Sequence, residues 1–262
     1  MKIRHHSRKS KYSLRSTRQH TVQAGSKPLD TSSLLSEVTL KVVTGDTPEA
    51  VRLLCDQVKQ IEAEYPQQED EKRIYLCLDD PEQQKQYREL RKPTKEVCFL
   101  NRQYDVVYWS LGSLLLSAAL YDEAEEMFET AIAWNPLSIR SRLDLGKVYI
   151  QREQWKALYA LSLFCLEHHP QEEELAQCYR NLGDCYSEWG EYELATALYW
   201  FSTLYDSNST DAIVGLYHVA LRSEKISPPS GLEQIIDSLE KNHIPLVRLD
   251  EVSNMEEKLN FS

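Results

Sequence analysis

An internal repeat of about 34 residues is the feature that most constrains this chain. Leucine–glycine pairs carry the repeat, at Leu111-Gly112, Leu145-Gly146 and Leu182-Gly183. The first two glycines are 34 residues apart and the next two are 37 apart, and Pro136 and Pro170 repeat the 34-residue spacing. A fixed period of this length indicates stacked units, because one unit cannot bury its apolar face without a neighbour.

Each repeated segment predicts two helices whose backbones approach closely. A glycine in the first helix leaves room for the second helix, and a proline ends the second helix because it removes a donor and clashes with the preceding turn. The residues predicted to hold the repeat together are Gly112, Ala124, Phe128, Ala131, Pro136, Gly146, Pro170, Gly183 and Ala195.

The order of these residues resembles the tetratricopeptide repeat over roughly residues 104–207. In the first unit Leu115 stands where tyrosine is usual, and in the second Arg142 replaces an aromatic residue and Ser162 a large one. The resemblance implies a mostly α fold, a right-handed α-solenoid of antiparallel helix pairs with a small N-terminal α+β cap region. Its three units are expected at 104–137, 138–171 and 172–207.

Short segments at 133–136, 178–183 and 243–246 are also similar to those of a group of bacterial tetratricopeptide proteins. This similarity, over roughly residues 75–246, implies a bacterial cytoplasmic protein and supplies no activity. The family resemblance itself implies a non-catalytic scaffold for protein–protein interaction.

The region before the repeats, residues 34–103, predicts mixed structure. The alternation over residues 38–43 suggests a strand, and Asp46 starts a capped helix. Residues 74–78 predict a second strand or the start of a helix, with a strand favoured, and residues 81–90 predict a short helix. After the repeats we expect a degenerate fourth helix pair at 208–245, acting as a C-terminal cap, and a frayed tail at 246–262.

Residues 1–33 are expected to form a disordered basic arm. Residues 1–30 contain eight Lys or Arg and one acid, so their charge is +7, and the remaining −18 of the total −11 lies on the rest of the chain. Two interpretations stay open for the arm: a solvated tail, or a segment that contacts nucleic acid or acidic lipid. The acidic remainder should repel nucleic acid and anionic lipid, and no apolar run approaches the roughly 20 residues of a membrane helix.

The sequence contains no recognisable catalytic constellation. Phosphate-binding, dinucleotide-binding, zinc-protease and serine-hydrolase motifs are missing. The six cysteines form no C-x-x-C pair and are interpreted as buried free thiols. The paired His168 and His169 fit the end of a helix, and the acids at 172–174 fit a first turn. We therefore expect no enzyme, no metal and no cofactor.

In the resembled family, the first helix of each unit lines the concave face. Carried over by register, the predicted peptide-binding residues are Trp109, Ser113, Arg140, Leu143, Lys147, Gln177, Arg180 and Asp184. Trp109 is the expected apolar anchor, and Arg140, Lys147 and Arg180 are expected to meet acidic groups. The alternative is that Trp109 packs under the N-terminal cap and that neighbouring aspartates partly neutralise the three cations.

The predicted function is a non-catalytic module that binds a peptide or protein segment in the groove of the array. An alternative from another class is a regulator whose basic arm contacts nucleic acid while the array recruits a partner. Self-association is a further expectation if the last unit exposes an apolar face.

Overall fold

The computed structural model of this chain describes residues 31–168, 170–223 and 227–247, which contain eleven helices and two short strands. The helices are α1 (Thr31–Val43), α2 (Thr47–Glu64), α3 (Pro81–Arg91), α4 (Tyr104–Ser117), α5 (Tyr121–Trp134), α6 (Ile139–Gln151), α7 (Trp155–Glu167), α8 (Glu172–Glu188), α9 (Tyr192–Ser202), α10 (Thr210–Arg222) and α11 (Leu232–Lys241). The strands are β1 (Arg73–Leu76) and β2 (Glu96–Phe99). The prediction of a mostly α fold is confirmed.

Three helix pairs form the repeated part, with α4 packed on α5, α6 on α7 and α8 on α9. The second helix of each pair also packs against the first helix of the next, so the pairs stack into a solenoid. The predicted close approaches are present: a Cβ atom on Gly112 would lie 2.9 Å from the Phe128 ring, and one on Gly183 would lie 2.8 Å from the Tyr199 ring. The predicted small partners are fully buried at Ala124, Ala131 and Ala195.

The turn between the two helices is the same in every pair. A residue with left-handed backbone follows each first helix, at Ala119 (φ 56°), Glu153 (φ 55°) and Gly190 (φ 83°). The next residue then donates its backbone N–H to a carbonyl five residues back, and each of these three bonds is 2.9 Å long. This geometry satisfies carbonyls that the helix end would otherwise leave unpaired.

Arg142 fills the place of an aromatic residue in the second unit. Its guanidinium carbon lies 4.1 Å from the centre of the Phe164 ring. Its two terminal nitrogens donate to the carbonyls of Ser138 and Pro136 at 2.9 and 2.8 Å. A planar guanidinium stacks as an aromatic ring does, so the departure from the repeat pattern keeps the packing.

The structure corrects the prediction of a strand at 38–43, because α1 covers these residues. Leu34 and Val38 are buried at helical spacing, whereas Leu40 and Val42 are exposed. The apparent alternation therefore came from apolar residues on the solvent side of a helix. The predicted arm at 1–33 is also wrong at its end, since α1 begins at Thr31, and residues 1–30 lie outside the described residues.

The predicted strand at 74–78 is confirmed as β1, and the predicted helix at 81–90 as α3. β1 pairs in parallel with β2, which the sequence did not predict, and α3 makes the crossover between them. The sheet lies beside the end of α5, where the Cys77 N–H donates to the Trp134 carbonyl at 2.8 Å. The α1–α2 pair packs on α4 and covers the start of the array.

The segment predicted as a degenerate fourth helix pair, 208–245, contains two helices, α10 and α11, but they are not packed together as the pairs of the preceding units are. α10 packs on α8 and α9, but α11 packs on α9 rather than on α10. The tail is also ordered at its start: Tyr179 donates to the Pro245 carbonyl and Tyr205 to the Val247 carbonyl, at 2.8 and 2.7 Å. Fraying is therefore incorrect for residues 246–247, and residues 248–262 lie outside the described part.

The six cysteines are free thiols, and four of them are buried as the sequence predicted, whereas Cys55 and Cys98 are only partly buried. Within the described residues, no helix has the length and apolar character needed to cross a membrane.

Candidate functional site

Trp109 on α4 and three charged residues on α6 form the first part of the candidate site. The Arg140 guanidinium carbon lies 4.5 Å from the centre of the Trp109 ring. The indole N–H of Trp109 donates to Asp144 at 2.7 Å, and Asp144 also pairs with Lys147 at 2.7 Å. Trp109 is half-buried in the core of the first units. It is therefore held by the next unit, with one face covered by a cation.

The second part lies on α8, one unit further along. Arg180 is buried, and its guanidinium pairs with Asp206 at 3.1 Å and donates to Gln177 at 3.0 Å. Gln177 in turn donates to Asn181 at 2.7 Å. These contacts hold Arg180 in one orientation at the centre of the first-helix face.

Asp184 lies one helical turn beyond Arg180 and accepts a 2.6 Å hydrogen bond from the Tyr199 hydroxyl. Burial raises the pKa of Asp184 to about 6, with the carboxylates of Asp211 and Glu188 adding to the effect and the Tyr199 hydroxyl opposing it. Burial also raises the pKa of the Tyr199 hydroxyl well above its ordinary value. Around neutral pH, ionisation of the buried Asp184 carboxyl group is therefore less favourable than that of an exposed aspartate.

A cavity of about 450 Å³ opens between α6, α8 and α10, on the face formed by the first helices. Its lining includes apolar or aromatic residues at Ile150, Trp155, Tyr199 and Val214. Its charged and polar lining includes Lys147, Gln177, Arg180, Asp184, Asp211, His218 and Arg222. This volume lies within the range of ligand sites.

Four of the eight predicted binding residues line this cavity: Lys147, Gln177, Arg180 and Asp184. Trp109 is connected to the cavity residue Lys147 through Asp144, which pairs with both, and Arg140 lies over the Trp109 ring. Ser113 is turned into its own helix, where its hydroxyl donates to the Trp109 carbonyl at 3.0 Å. Leu143 is buried in the core with residues of α7 and α8, so it is not available to a ligand.

The sequence reasoning missed the wall that α10 contributes to the cavity. Asp211, Val214, His218 and Arg222 form this wall. The signal was Gly215, which lies 32 residues after Gly183 and therefore marks another first helix. A Cβ atom on Gly215 would lie 2.4 Å from the Tyr199 ring, so the same close packing recurs here.

The cations of the face already have acidic partners. Lys147 pairs with Asp144, Arg180 with Asp206, and Arg222 with Glu188. Arg140 has a different partner, the Trp109 ring. An acidic group on a ligand would therefore have to compete with these contacts, and the site presents alternating rather than uniformly positive charge.

The histidine and acidic clusters have structural partners. The His168 ring stacks on Phe164 at 3.9 Å, with Nδ1 2.6 Å from the Phe164 carbonyl oxygen, and His169 lies outside the described residues. Glu174 and Gln171 form a capping box at the start of α8. In the part of the chain that the structure describes, no three His, Cys, Asp or Glu side chains are grouped so as to hold a metal ion.

Comparison with known proteins gives one family match. Residues 106–136, which cover most of α4 and α5, match the family model described as Tetratricopeptide repeat. No curated protein matches the sequence. A solved structure titled "MamA RS-1 ArsTM double mutant" is 14% identical, with the alignment covering 88% of this chain and 97% of that chain at a TM-score of 0.48.

Proposed function

The chain is a tetratricopeptide-repeat protein, and we propose that it binds an extended peptide segment of a protein partner along its first-helix face. The array itself is a module for protein–protein interaction. The observation that supports the peptide site is the cavity, because three successive first helices, α6, α8 and α10, contribute to it.

The lining favours a peptide over a small charged metabolite. Gln177 and Arg180 supply fixed polar groups, while Ile150, Trp155 and Val214 supply apolar surface for one anchoring side chain. Opposite charges alternate along the face, which suits a segment that carries both signs or a polar side chain beside the anchor. Trp109 and Arg140 extend the same surface toward α4, where a longer segment would continue.

The experiment selects random 12-residue peptides displayed on phage against the full chain. Enriched peptides are then measured against Lys147→Glu, which reverses an exposed charge at the cavity, and His218→Trp, which fills it. Lys85→Glu is the matched control, because Lys85 is also exposed and paired with an acid but lies on α3. We expect at least tenfold weaker binding to both cavity variants and no change for the control.

Equal binding to all four proteins would place the peptide site elsewhere, and failure to enrich any peptide would contradict the proposal. The nucleic-acid alternative depends on residues 1–30, so it is measured separately. Duplex DNA should bind the full chain and not a chain that begins at Thr31. Its affinity should fall with salt at a log–log slope of about −0.9 per phosphate contacted.

A further inference from the structure

The small sheet before the repeats has one covered edge and one open edge. On the outer side of β1, Ile74 forms an antiparallel bridge with Glu69, and just after β1 the Cys77 N–H donates to the Trp134 carbonyl. Within the described residues, β2 pairs with β1 and with no other strand. None of its four residues is fully buried. The outer side of β2 is therefore an unprotected sheet edge.

The backbone groups that face this edge belong to Val97 and Phe99. Along a strand, alternate residues direct their N–H and C=O groups to opposite edges. The N–H groups of Glu96 and Leu100 donate to carbonyls on the β1 side, at 2.8 and 2.7 Å. Cys98 lies midway between these two residues and faces the same way. Val97 and Phe99 therefore direct two N–H and two C=O groups outward, and no described residue bonds to them.

A cavity of about 600 Å³ lies beside this edge. Its lining comes from the last turn of α3, from the loop at 92–95 and from the start of β2, and it includes none of the four residues of β1. The lining consists of Arg88, Lys92, Pro93, Lys95, Glu96 and Val97. The cavity is therefore on the outer side of β2, next to the open edge.

The charge of the cavity is positive in a chain whose net charge is −11. Arg88, Lys92 and Lys95 line it together with one acid, Glu96. Lys95 and Glu96 each have an ion-pair partner outside the cavity. Arg88 lies over the Phe99 ring, 5.2 Å from its centre. Among the described residues no carboxylate pairs with Arg88 or Lys92, so both cations are available to an acidic ligand.

The helix α3 determines which side chains of an added strand would meet these cations. The side chains of Val97 and Phe99 pack in one cluster with Tyr87 of α3, so α3 covers this face of the sheet. Side chains alternate between the two faces of a strand. Every second residue of a strand added along β2 would therefore point to the α3 side, where Arg88 and Lys92 lie.

From this we infer that the outer edge of β2 binds an extended acidic segment of a partner protein, which adds a third strand to the sheet. Val97 and Phe99 supply the backbone hydrogen bonds, and Arg88 and Lys92 bind carboxylates on alternate residues of the segment. The residues involved lie outside the first-helix cavity, so the inference is independent of peptide binding there.

The charge of this edge argues against a second copy of the chain as the occupant. In a symmetric antiparallel pairing, the residues after β2 of one copy would face the loop before β2 of the other. Arg102 follows β2, and Lys92 and Lys95 precede it. Such a pairing would bring like charges together, which destabilises it.

The first test uses a fluorescent eight-residue peptide of alternating glutamate and threonine, with binding to the full chain measured by fluorescence anisotropy. Lys92→Glu and Arg88→Glu should each weaken binding at least tenfold. Arg91→Glu is the matched control and should change nothing, because Arg91 is also an exposed cation in the last turn of α3 but lines a different cavity, beside α5. A peptide of alternating lysine and threonine should not bind.

The second test concerns the backbone of β2. Val97→Pro removes an outward N–H and no bond to β1, and edge strands tolerate proline. Val97→Ala also shortens the side chain but keeps the N–H. The proline variant should bind at least tenfold more weakly, and the alanine variant within twofold of the unmodified chain. Circular dichroism shows whether both variants keep the helical array.

Amide exchange followed by NMR needs no variant. The amides of Val97 and Phe99 should exchange fast in the free chain and severalfold more slowly with the acidic peptide, whereas that of Cys98 is protected throughout. Slow exchange at Val97 and Phe99 in the free chain would overturn the inference, because the edge would then be covered. So would absence of binding by the acidic peptide, or equal binding to all the variants. A dimer that Val97→Pro converts to a monomer in light scattering would also overturn it and would identify a second copy as the occupant.

Discussion

At the scale of single residues, the packing of this protein depends on a tyrosine held between two glycines. Cβ atoms on Gly183 and Gly215 would lie 2.8 and 2.4 Å from the Tyr199 ring. The ring cannot move away easily, because its hydroxyl is bonded to the buried carboxylate of Asp184. One side chain thus joins α8, α9 and α10.

Gly215→Ala should lower the free energy of unfolding by about 1–3 kcal/mol, because the added methyl group overlaps a ring that cannot move. Gly146→Ala is the matched control at the same position of an earlier unit. There the nearest atom is the tip of the flexible Leu158 side chain at 3.1 Å, and the gain in helix propensity offsets the crowding. Urea unfolding measures both, and equal losses would contradict the role assigned to Tyr199.

Asp184 should make stability depend on pH between about 4 and 6. Burial raises its pKa to about 6, and the unfolded carboxyl has a pKa near about 3.9. The folded chain therefore holds more protons in this window, and stability falls as the pH rises through it. Asp184→Asn removes this pH dependence, so the stability of the variant relative to wild type should improve by about 2 kcal/mol from pH 4 to pH 7.

Thermal and urea unfolding at several pH values provide this measurement. A constant difference for Asp184→Asn would show that its burial has no energetic consequence for the carboxylate.

At the scale of elements, α1 shows how an apolar alternation misleads. Val38, Leu40 and Val42 alternate as a strand would, but only Val38 faces the core. The helix forms because Leu34 and Val38 lie one turn apart and both pack on neighbouring helices. The helical spacing of the buried residues Leu34 and Val38 predicts the structure better than the alternation does. It can be recognised only once the exposed residues are known.

A helix and a strand over residues 38–43 predict different effects of the same two substitutions on stability. In the helix, Val38→Asp buries a carboxylate and should cost more than about 2 kcal/mol, whereas Leu40→Asp lies at the surface and should stay within about 0.5 kcal/mol. A strand with one buried face would make the two substitutions equally harmful. Thermal melts of both variants decide between these outcomes.

At the scale of the whole molecule, two large cores run along the array. One core joins α1 to α6, the other joins α6 to α11, and Leu161 on α7 packs against both. Gly146 lies at this junction, where a Cβ atom would be 3.1 Å from Leu158 and 3.7 Å from Leu161. The middle unit therefore connects the two ends, as expected when repeats are stabilised mainly by their neighbours.

Gly146→Leu should force the middle pair apart and lower stability by at least about 1–3 kcal/mol. Because the junction connects both cores, hydrogen exchange should increase in α4 and α5 as well as in α8 and α9. A melt unchanged by the substitution would contradict the close approach of α6 and α7. Faster exchange confined to α6 and α7 would contradict the coupling.

The sequence by itself determined the helix pairs, because their close approaches require glycine, alanine and proline at fixed spacing, which local chemistry shows. Four of the eight predicted cavity residues followed from the same register. Tertiary structure decided the rest. Leu143 is buried in the core rather than exposed to a ligand, and Arg180 is paired with Asp206. Neither could be predicted, because burial and ion pairing depend on elements distant in sequence. The placement of α11 on α9 was likewise decided by which apolar faces met, and this choice leaves the outer face of α10 exposed.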